Sequence, residues 1–257
     1  MNCDRLPPGY VMKQRERIRR VAGFLDGRDQ AVRAGRAIPF PGSLANGRGR
    51  HLQASILFLD ICGFSNRQST TAAQQDEILT AFALLFPELI AIIEDYDGTV
   101  EKNTGDGLMA YFVNKDGVHH VQRAIACAMT MLDVTQRLIN PQLRRRQIEP
   151  FSFRISIDCG NVTIAQVGRK TGFSGMVAIS SFANVASKML RHADPNSILL
   201  GDSAAMQVPT AWSHHLVHKP VEDWTWNCGG VPYALWTFNG VWTDPIPQPV
   251  LGAMLNG

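Results

Sequence analysis

SILFLDICGFS, residues 55–65, and TVEKNTGDGLMAYF, residues 99–112, decide how this chain is read. The first is an apolar run that ends on Asp60 and passes at once into a glycine-containing turn. The second holds Asp106 in the tight turn Asn103-Thr104-Gly105-Asp106-Gly107, between two short strand-like runs. If those runs pair as a hairpin beside the first strand, the two carboxylates meet at one end of a sheet. Two hard carboxylates with open positions around them suit a divalent ion, Mg²⁺ or Mn²⁺, when a nucleoside triphosphate supplies the other ligands. In Ile61-Cys62-Gly63-Phe64-Ser65 the chain turns from strand toward helix, which leaves several N–H groups free to point at phosphate oxygens.

The rest of the chain is read outward from these two segments. Leu52 to Leu59 is a core strand, apolar nearly throughout. A long helix is expected from about Ala72 to Tyr96, with Ile78, Leu79, Phe82, Leu85, Phe86, Leu89, Ile90 and Ile93 at helical spacing, a kink at Pro87 and closure at Asp97-Gly98. A second helix is expected from about Gly117 to Ile139, with Arg144-Arg145-Arg146 in the loop after it. Phe151 to Cys159 reads as a strand with one wet face, because Ser152, Arg154, Ser156 and Asp158 alternate with Phe153, Ile155 and Ile157. The order strand–helix–strand–strand–helix–strand predicts an α+β fold with a ferredoxin-like βαββαβ core. Beyond it come Gly160 to Gly168, a helix from about Phe182 to His192, a strand at Ser197 to Leu200 and a hairpin from Leu216 to Phe238. Toward the N-terminus, Val11, Ile18, Leu25 and Val32 recur every seven residues and predict an amphipathic helix over Pro8 to Ala34. Ile38 to Arg50 is a Pro/Gly-rich connector. The expected organisation is a basic N-terminal segment over 1–50, a catalytic domain over 51–238 and an extended tail over 239–257.

The two aspartate segments, FLDICGFS and EKNTGDGLMAYF, resemble the class III nucleotidyl cyclase family, and the resemblance covers roughly residues 50 to 238. It implies that Asp60, Asp106 and the carbonyl of Ile61 hold two divalent ions, and that Cys62, Gly63, Phe64 and Ser65 bind phosphates through their N–H groups. FRISIDCGNVTIAQVG, Phe153 to Gly168, resembles the family's strand that leads into a glycine-marked turn and back. FANVASKML, Phe182 to Leu190, resembles the family's helix whose asparagine and later cation serve the transition state; these are Asn184 and Lys188. Residues i and i+4 share a helix face. The family usually has arginine where Lys188 stands, so the charge is kept and the bidentate fork is lost. Arg191, one turn on, is the alternative cation. The family's late-hairpin lysine loosely matches Lys219.

Lys102 occupies the family's adenine-reading lysine position, but the partner position falls on Val177, which neither donates nor accepts. The connector, the size and this altered pair resemble the stand-alone pyrimidine cyclases of bacterial anti-phage (Pycsar) systems. That resemblance implies a pyrimidine triphosphate substrate and a separate effector that responds to the cyclic product, and the class III resemblance implies a homodimer with composite sites. UTP is expected over CTP, because Lys102 as a pure donor suits the O4 acceptor of uracil. Three other readings stay open: an adenylate cyclase, supported by Lys102; a catalytically dead cyclase-like regulatory domain, motivated by Lys188 and Val177; and a nucleic-acid module using the basic head.

Composition narrows the class. The chain has 257 residues, 45% hydrophobic and 18% charged, as in a globular protein. No apolar run reaches the roughly 18 residues a membrane helix needs. The N-terminus lacks the pattern of a secretion signal, because Arg and Lys continue where an apolar core should stand, and the five cysteines are scattered without a C-x-x-C spacing, so a cytoplasmic location is expected. Net charge is +3, but residues 1–50 carry 11 Lys and Arg against 4 Asp and Glu. No aromatic interleaving accompanies that basic head, so a solvated face is expected and not a nucleic-acid contact. His214, His215 and His218 read as part of a surface strand, and Trp212, Trp224, Trp226 and Trp236 as packing residues.

Overall fold

The computed structural model describes residues 32–34, 38–39, 43–67, 69–103, 105–168, 174–228 and 230–242. From the N-terminus these form β1 (Val32–Ala34), β2 (Gly49–Ile61), α1 (Ala72–Asp95), β3 (Thr99–Asn103), β4 (Gly107–Phe112), α2 (His120–Val134) and α3 (Asn140–Arg145). There follow β5 (Phe153–Gly168), β6 (Ser174–Ile179), α4 (Ser181–Met189), β7 (Ile198–Gly201) and α5 (Asp202–Ala205). Last come β8 (Leu216–His218), β9 (Asn227–Cys228), β10 (Val231–Pro232) and β11 (Leu235–Phe238). Nine strands make one sheet in the order β3-β4-β2-β5-β7-β11-β8, with β1 beside β2 and β6 beside β5. The segment β2-α1-β3-β4-α2-β5 is the expected βαββαβ core, and its neighbouring strands pair antiparallel.

β2 is the central strand because both its faces are covered. Leu57, Leu59 and Ile61 enter a large cluster with Leu85, Leu89 and Ile93 of α1 and Ile125 and Met129 of α2. Leu52, Ala54 and Ile56 enter a second cluster with Met109 and Tyr111 of β4 and Ala183 of α4. Where both faces are buried the strand carries no polar alternation, hence the apolar run Ile56 to Leu59. α1 starts at a capping box: the Thr71 hydroxyl accepts from the Gln74 N–H, and the Gln74 side chain accepts from the Thr71 N–H. The helix continues through Pro87 to Asp95. Pro87 offers no N–H to the preceding turn, and the buried Leu85, Phe86 and Leu89 on either side anchor the helix across it.

Several expectations are corrected. Val32–Ala34, placed at the end of the N-terminal helix, is a strand parallel to Gly49–His51; the remainder of that predicted helix lies outside the described residues, as do 243–257 of the tail. Gly49 and Arg50 belong to β2 and not to the connector, because the Asn46-Gly47 turn is bonded back onto the end of β5: the Asn46 side chain accepts from Gly168 N–H, and Gly47 N–H donates to Gln166. The second helix passes through a π turn, Thr135–Ile139, into α3, so Arg144 and Arg145 are helical. β5 does not turn at Gly160 but runs 16 residues to Gly168. Glycine at 160 serves packing, since a Cβ there would lie 2.2 Å from the Phe182 ring of α4.

The wet face assigned to β5 is also corrected. Ser156 and Asp158 are fully buried, because α4, α5 and the C-terminal hairpin cover that face. The Ser156 hydroxyl donates to the Ala186 carbonyl of α4 at 2.7 Å. Asp158 accepts from the Tyr233 hydroxyl at 2.9 and 3.0 Å and from the Cys159 N–H at 2.9 Å. Burial pushes its pKa up to about 7 against these hydrogen bonds. His214 and His215 lie in a 3₁₀ turn, Thr210–His215, and only His218 is in a strand.

Candidate functional site

The pairing of β2 with β4 and β5 builds the site at one end of the sheet. Asp60 sits opposite Gly107 on β4 and opposite Arg154 on β5. Asp106 immediately precedes β4, and its carbonyl accepts the Ile61 N–H at 3.0 Å. The two aspartates, 46 positions apart in the sequence, therefore become neighbours through strand register. Both are half-buried, while the Ile61 side chain is in the core and its backbone stays at the strand end. Among the described residues no group of three or more His, Cys, Asp or Glu gathers. Asp60 and Asp106 with the Ile61 carbonyl form a hard, all-oxygen donor set that leaves positions for ligands from elsewhere, which fits Mg²⁺ or Mn²⁺ and not a thiolate-preferring ion.

Arg154 was not singled out from the sequence. Its Nε and Nη2 donate to Asp60 Oδ2 at 3.0 and 2.8 Å. With side chains 32% and 25% exposed, this pair is solvated enough to exchange partners when an anion or cation arrives. The one available signal was the arginine at the start of a strand otherwise apolar on alternate positions; its partner depended on register.

The phosphate segment is shorter than expected. The Cys62 N–H donates to the Ser152 carbonyl at 2.9 Å and is not available to a ligand. Gly63 adopts φ 68°, a left-handed conformation that glycine tolerates, and starts the 3₁₀ turn Phe64–Asn66. The first bond of that turn is Asn66 N–H to Gly63 carbonyl, so the N–H groups of Gly63, Phe64 and Ser65 have no partner within it. Helix α1 begins only at Ala72.

Asn184 and Lys188 are both exposed on α4, whose Ala183, Val185, Ala186 and Met189 face the sheet. They share the outward face, as the spacing predicts. No hydrogen bond or ion pair joins either to Asp60 or Asp106 among the described residues. Arg191 pairs with Asp223 at 3.6 Å and its Nε donates to His192 at 2.9 Å. Lys219 pairs with Asp194 at 2.5 Å. Lys188 lies instead over the Trp226 ring, 5.5 Å from its centroid, so Trp226 has a polar neighbour that the packing assignment missed. Lys102 pairs through its backbone with Met109, just after a bulge in β3. Val177 is half-buried on β6 opposite Ala165. Strands β4, β2 and β5 separate β3 from β6, so sheet neighbourhood does not bring Lys102 and Val177 together.

Known proteins resemble this chain in sequence and in fold. The family profile described as the adenylate and guanylate cyclase catalytic domain matches residues 48–217. Cytidylate cyclase of Escherichia coli is 28% identical over 171 residues, covering 63% of this chain and 36% of that protein. Cytidylate cyclase of Staphylococcus aureus is 26% identical over 155 residues, covering 57% and 35%. The chain thus spans little more than a third of the length of the curated relatives it matches. The crystal structure of the adenylyl cyclase CyaB from P. aeruginosa has the same fold, with a TM-score of 0.60 at 18% identity, covering 77% of this chain and 100% of that one. Because the family match begins at the head of β2 and runs through α4 to the start of β8, taking in every element that carries Asp60, Asp106, Asn184 and Lys188, the chain belongs to the adenylate and guanylate cyclase catalytic domain family.

Proposed function

We propose that this chain is a nucleotidyl cyclase that converts a pyrimidine nucleoside triphosphate to its 3′,5′-cyclic monophosphate and diphosphate. The observation that carries the reading is the register of β2 against β4, which makes Asp60 and Asp106 neighbours at an open sheet end beside Arg154. The ribose 3′-oxygen bonds to the α-phosphorus, the bond from that phosphorus to the bridging oxygen of the β-phosphate breaks, and the hydroxyl proton passes to solvent. Asp60, Asp106 and the Ile61 carbonyl would hold two divalent ions, Mg²⁺ or Mn²⁺, which when bound acidify the attacking hydroxyl and offset triphosphate charge. The N–H groups of Gly63, Phe64 and Ser65 bind β- and γ-phosphate oxygens. Arg154, which lies on Asp60 beside these N–H groups, carries a planar fork suited to the same phosphates. Lys188 offsets charge on the α-phosphate, and Asn184 holds the ribose ring oxygen.

Asn184 and Lys188 point outward from α4, so a nucleotide held at Asp60 must be presented to them by another surface. A second copy of this chain supplies it, which gives a homodimer with two composite sites. The pyrimidine preference is supported by Val177 and by the two relatives named cytidylate cyclase. Between the two pyrimidines, Lys102 favours the O4 of uracil, whereas the relatives' name favours cytidine; both lie within the proposal. The cyclic product then acts as a messenger to a separate cyclic-nucleotide-responsive effector, in anti-phage defence inside the cell. No helix among the described residues is long and apolar enough to cross a membrane.

The test is a competition. Purified chain is incubated with equal UTP, CTP, ATP and GTP and Mn²⁺, and products are identified by mass. Cyclic UMP or cyclic CMP is expected to predominate. Predominant cyclic AMP or cyclic GMP would refute the pyrimidine reading, and absence of any cyclic product would refute the enzyme reading.

A further inference from the structure

The Lys188 side chain opens onto a cleft of about 550 Å³ lined by Arg191, Asp223, Trp224, Trp226 and Asn227. The two cations at this cleft are held in different ways. Arg191 has polar partners, Asp223 at 3.6 Å and His192 at 2.9 Å. Lys188 forms no salt bridge among the described residues, and its Nζ lies over the face of Trp226. We propose that Trp226 is a positioning residue for Lys188, fixing its ammonium for the α-phosphate; this rests on the cyclase reading above.

Three observations support it. Trp226 is anchored: it packs on the cluster of Val185, Met189, Leu199, Tyr233 and Leu235, and its carbonyl accepts the Tyr233 N–H at 3.1 Å. Its neighbour Trp224 is pinned as well, the indole N–H donating to the Tyr233 carbonyl at 2.9 Å. The indole is therefore a fixed platform and not a loop side chain in search of a contact. The chemistry also suits the task. A lysine lacks the planar fork that orients an arginine on phosphate, and its four-carbon stem is flexible. A carboxylate partner would restrain that stem but cancel the charge the α-phosphate needs. An aromatic face attracts the ammonium through its quadrupole and leaves its full charge available. Since Val185 and Met189 belong to the same cluster as Trp226, the platform and the helix carrying Lys188 are one packed unit.

The experiment compares Trp226→Leu and Trp226→Phe in the full chain, each also combined with Lys188→Ala. Trp226→Leu is expected to lower kcat about 5- to 10-fold with KM nearly unchanged, and Trp226→Phe, which keeps a weaker aromatic face, to recover part of that loss. In the Lys188→Ala background, Trp226→Leu is expected to have no further effect on kcat. A readout independent of turnover is the NMR shift of the Lys188 ε-methylene protons, displaced by the indole ring current in the wild type and returned to the free-lysine position in Trp226→Leu. Unchanged kcat in Trp226→Leu, an equal loss with and without Lys188, or Lys188 signals that do not move would each overturn the positioning role. A chain with displaced Lys188 signals that turns over no triphosphate would instead overturn the cyclase reading, leaving the Lys188–Trp226 contact in place.

Discussion

Replacing Asp158 with asparagine should flatten the pH dependence of stability. In the fold, burial raises the Asp158 pKa from 3.8 to about 7, with Asp202 adding a smaller push in the same direction. The unfolded chain releases that proton near the ordinary value, so between the two pKa values the folded state binds more protons. Stability from this group is fully present below pH 3.8 and is lost as pH rises through 7. At about 1.4 kcal/mol per pKa unit, the whole span amounts to about 4 kcal/mol, of which about 2.5 kcal/mol falls between pH 5 and pH 8. Asparagine cannot ionise, and its amide oxygen, with two lone pairs, can accept from both the Cys159 N–H and the Tyr233 hydroxyl, as Oδ1 of Asp158 does. His120 works the other way. Burial lowers its pKa to about 4, so its contribution is lost as pH falls. It is present in both chains and cancels in the difference. Urea unfolding of wild type and Asp158→Asn across this pH range should show the variant gaining relative to wild type as pH rises. Two curves parallel to within about 0.5 kcal/mol would refute the assignment of a buried, proton-holding Asp158.

Three further outcomes are expected. Asp60→Ala and Asp106→Ala should each abolish diphosphate release while shifting thermal unfolding little, since both carboxylates are half-buried and the Asp60–Arg154 pair is worth about 1 kcal/mol or less; near-wild-type turnover in either folded variant would end the metal-site argument. Mixing an inactive Asp60→Ala, Asp106→Ala chain with an inactive Asn184→Ala chain should restore part of the activity, because heterodimers regain one intact composite site; demonstrated subunit exchange without recovery would show that the site is not shared. Gly201→Ala should destabilise the fold by about 1–3 kcal/mol in urea unfolding, since its Cβ would lie 2.5 Å from the Asp158 carboxyl carbon; an unaltered midpoint would mean that β7 and β5 are not in this close contact.

Much of the fold and part of the candidate site were legible in the sequence because their signals are local. Apolar spacing every three to four residues marked α1 within a residue of its ends, and Thr71 with Gln74 caps it through bonds three positions apart. Asp60 and Asp106 were legible as candidates because each stands at a boundary between a strand-like run and a turn, and Asn184 and Lys188 share a face because four residues make about one helical turn. What failed depended on chain from elsewhere. Cys62 lost its free N–H to Ser152, and β5 looked wet on alternate positions because Ser156 and Asp158 are polar. Whether a polar face meets water or a covering helix is set by the elements packed on it, and these come later in the chain.

The sequence by itself determined the βαββαβ order, the two aspartates and the outward pair on α4, since strand ends, turns and helical faces are properties of a few consecutive residues. Only the tertiary structure decided that Arg154 lies against Asp60, that Asp158 is buried under Tyr233, and that Lys188 lies over an indole while Arg191 is bound to Asp223. Those contacts join residues that are distant in the chain, and they exist only because strand register and the packing of α4 against the C-terminal hairpin place them side by side.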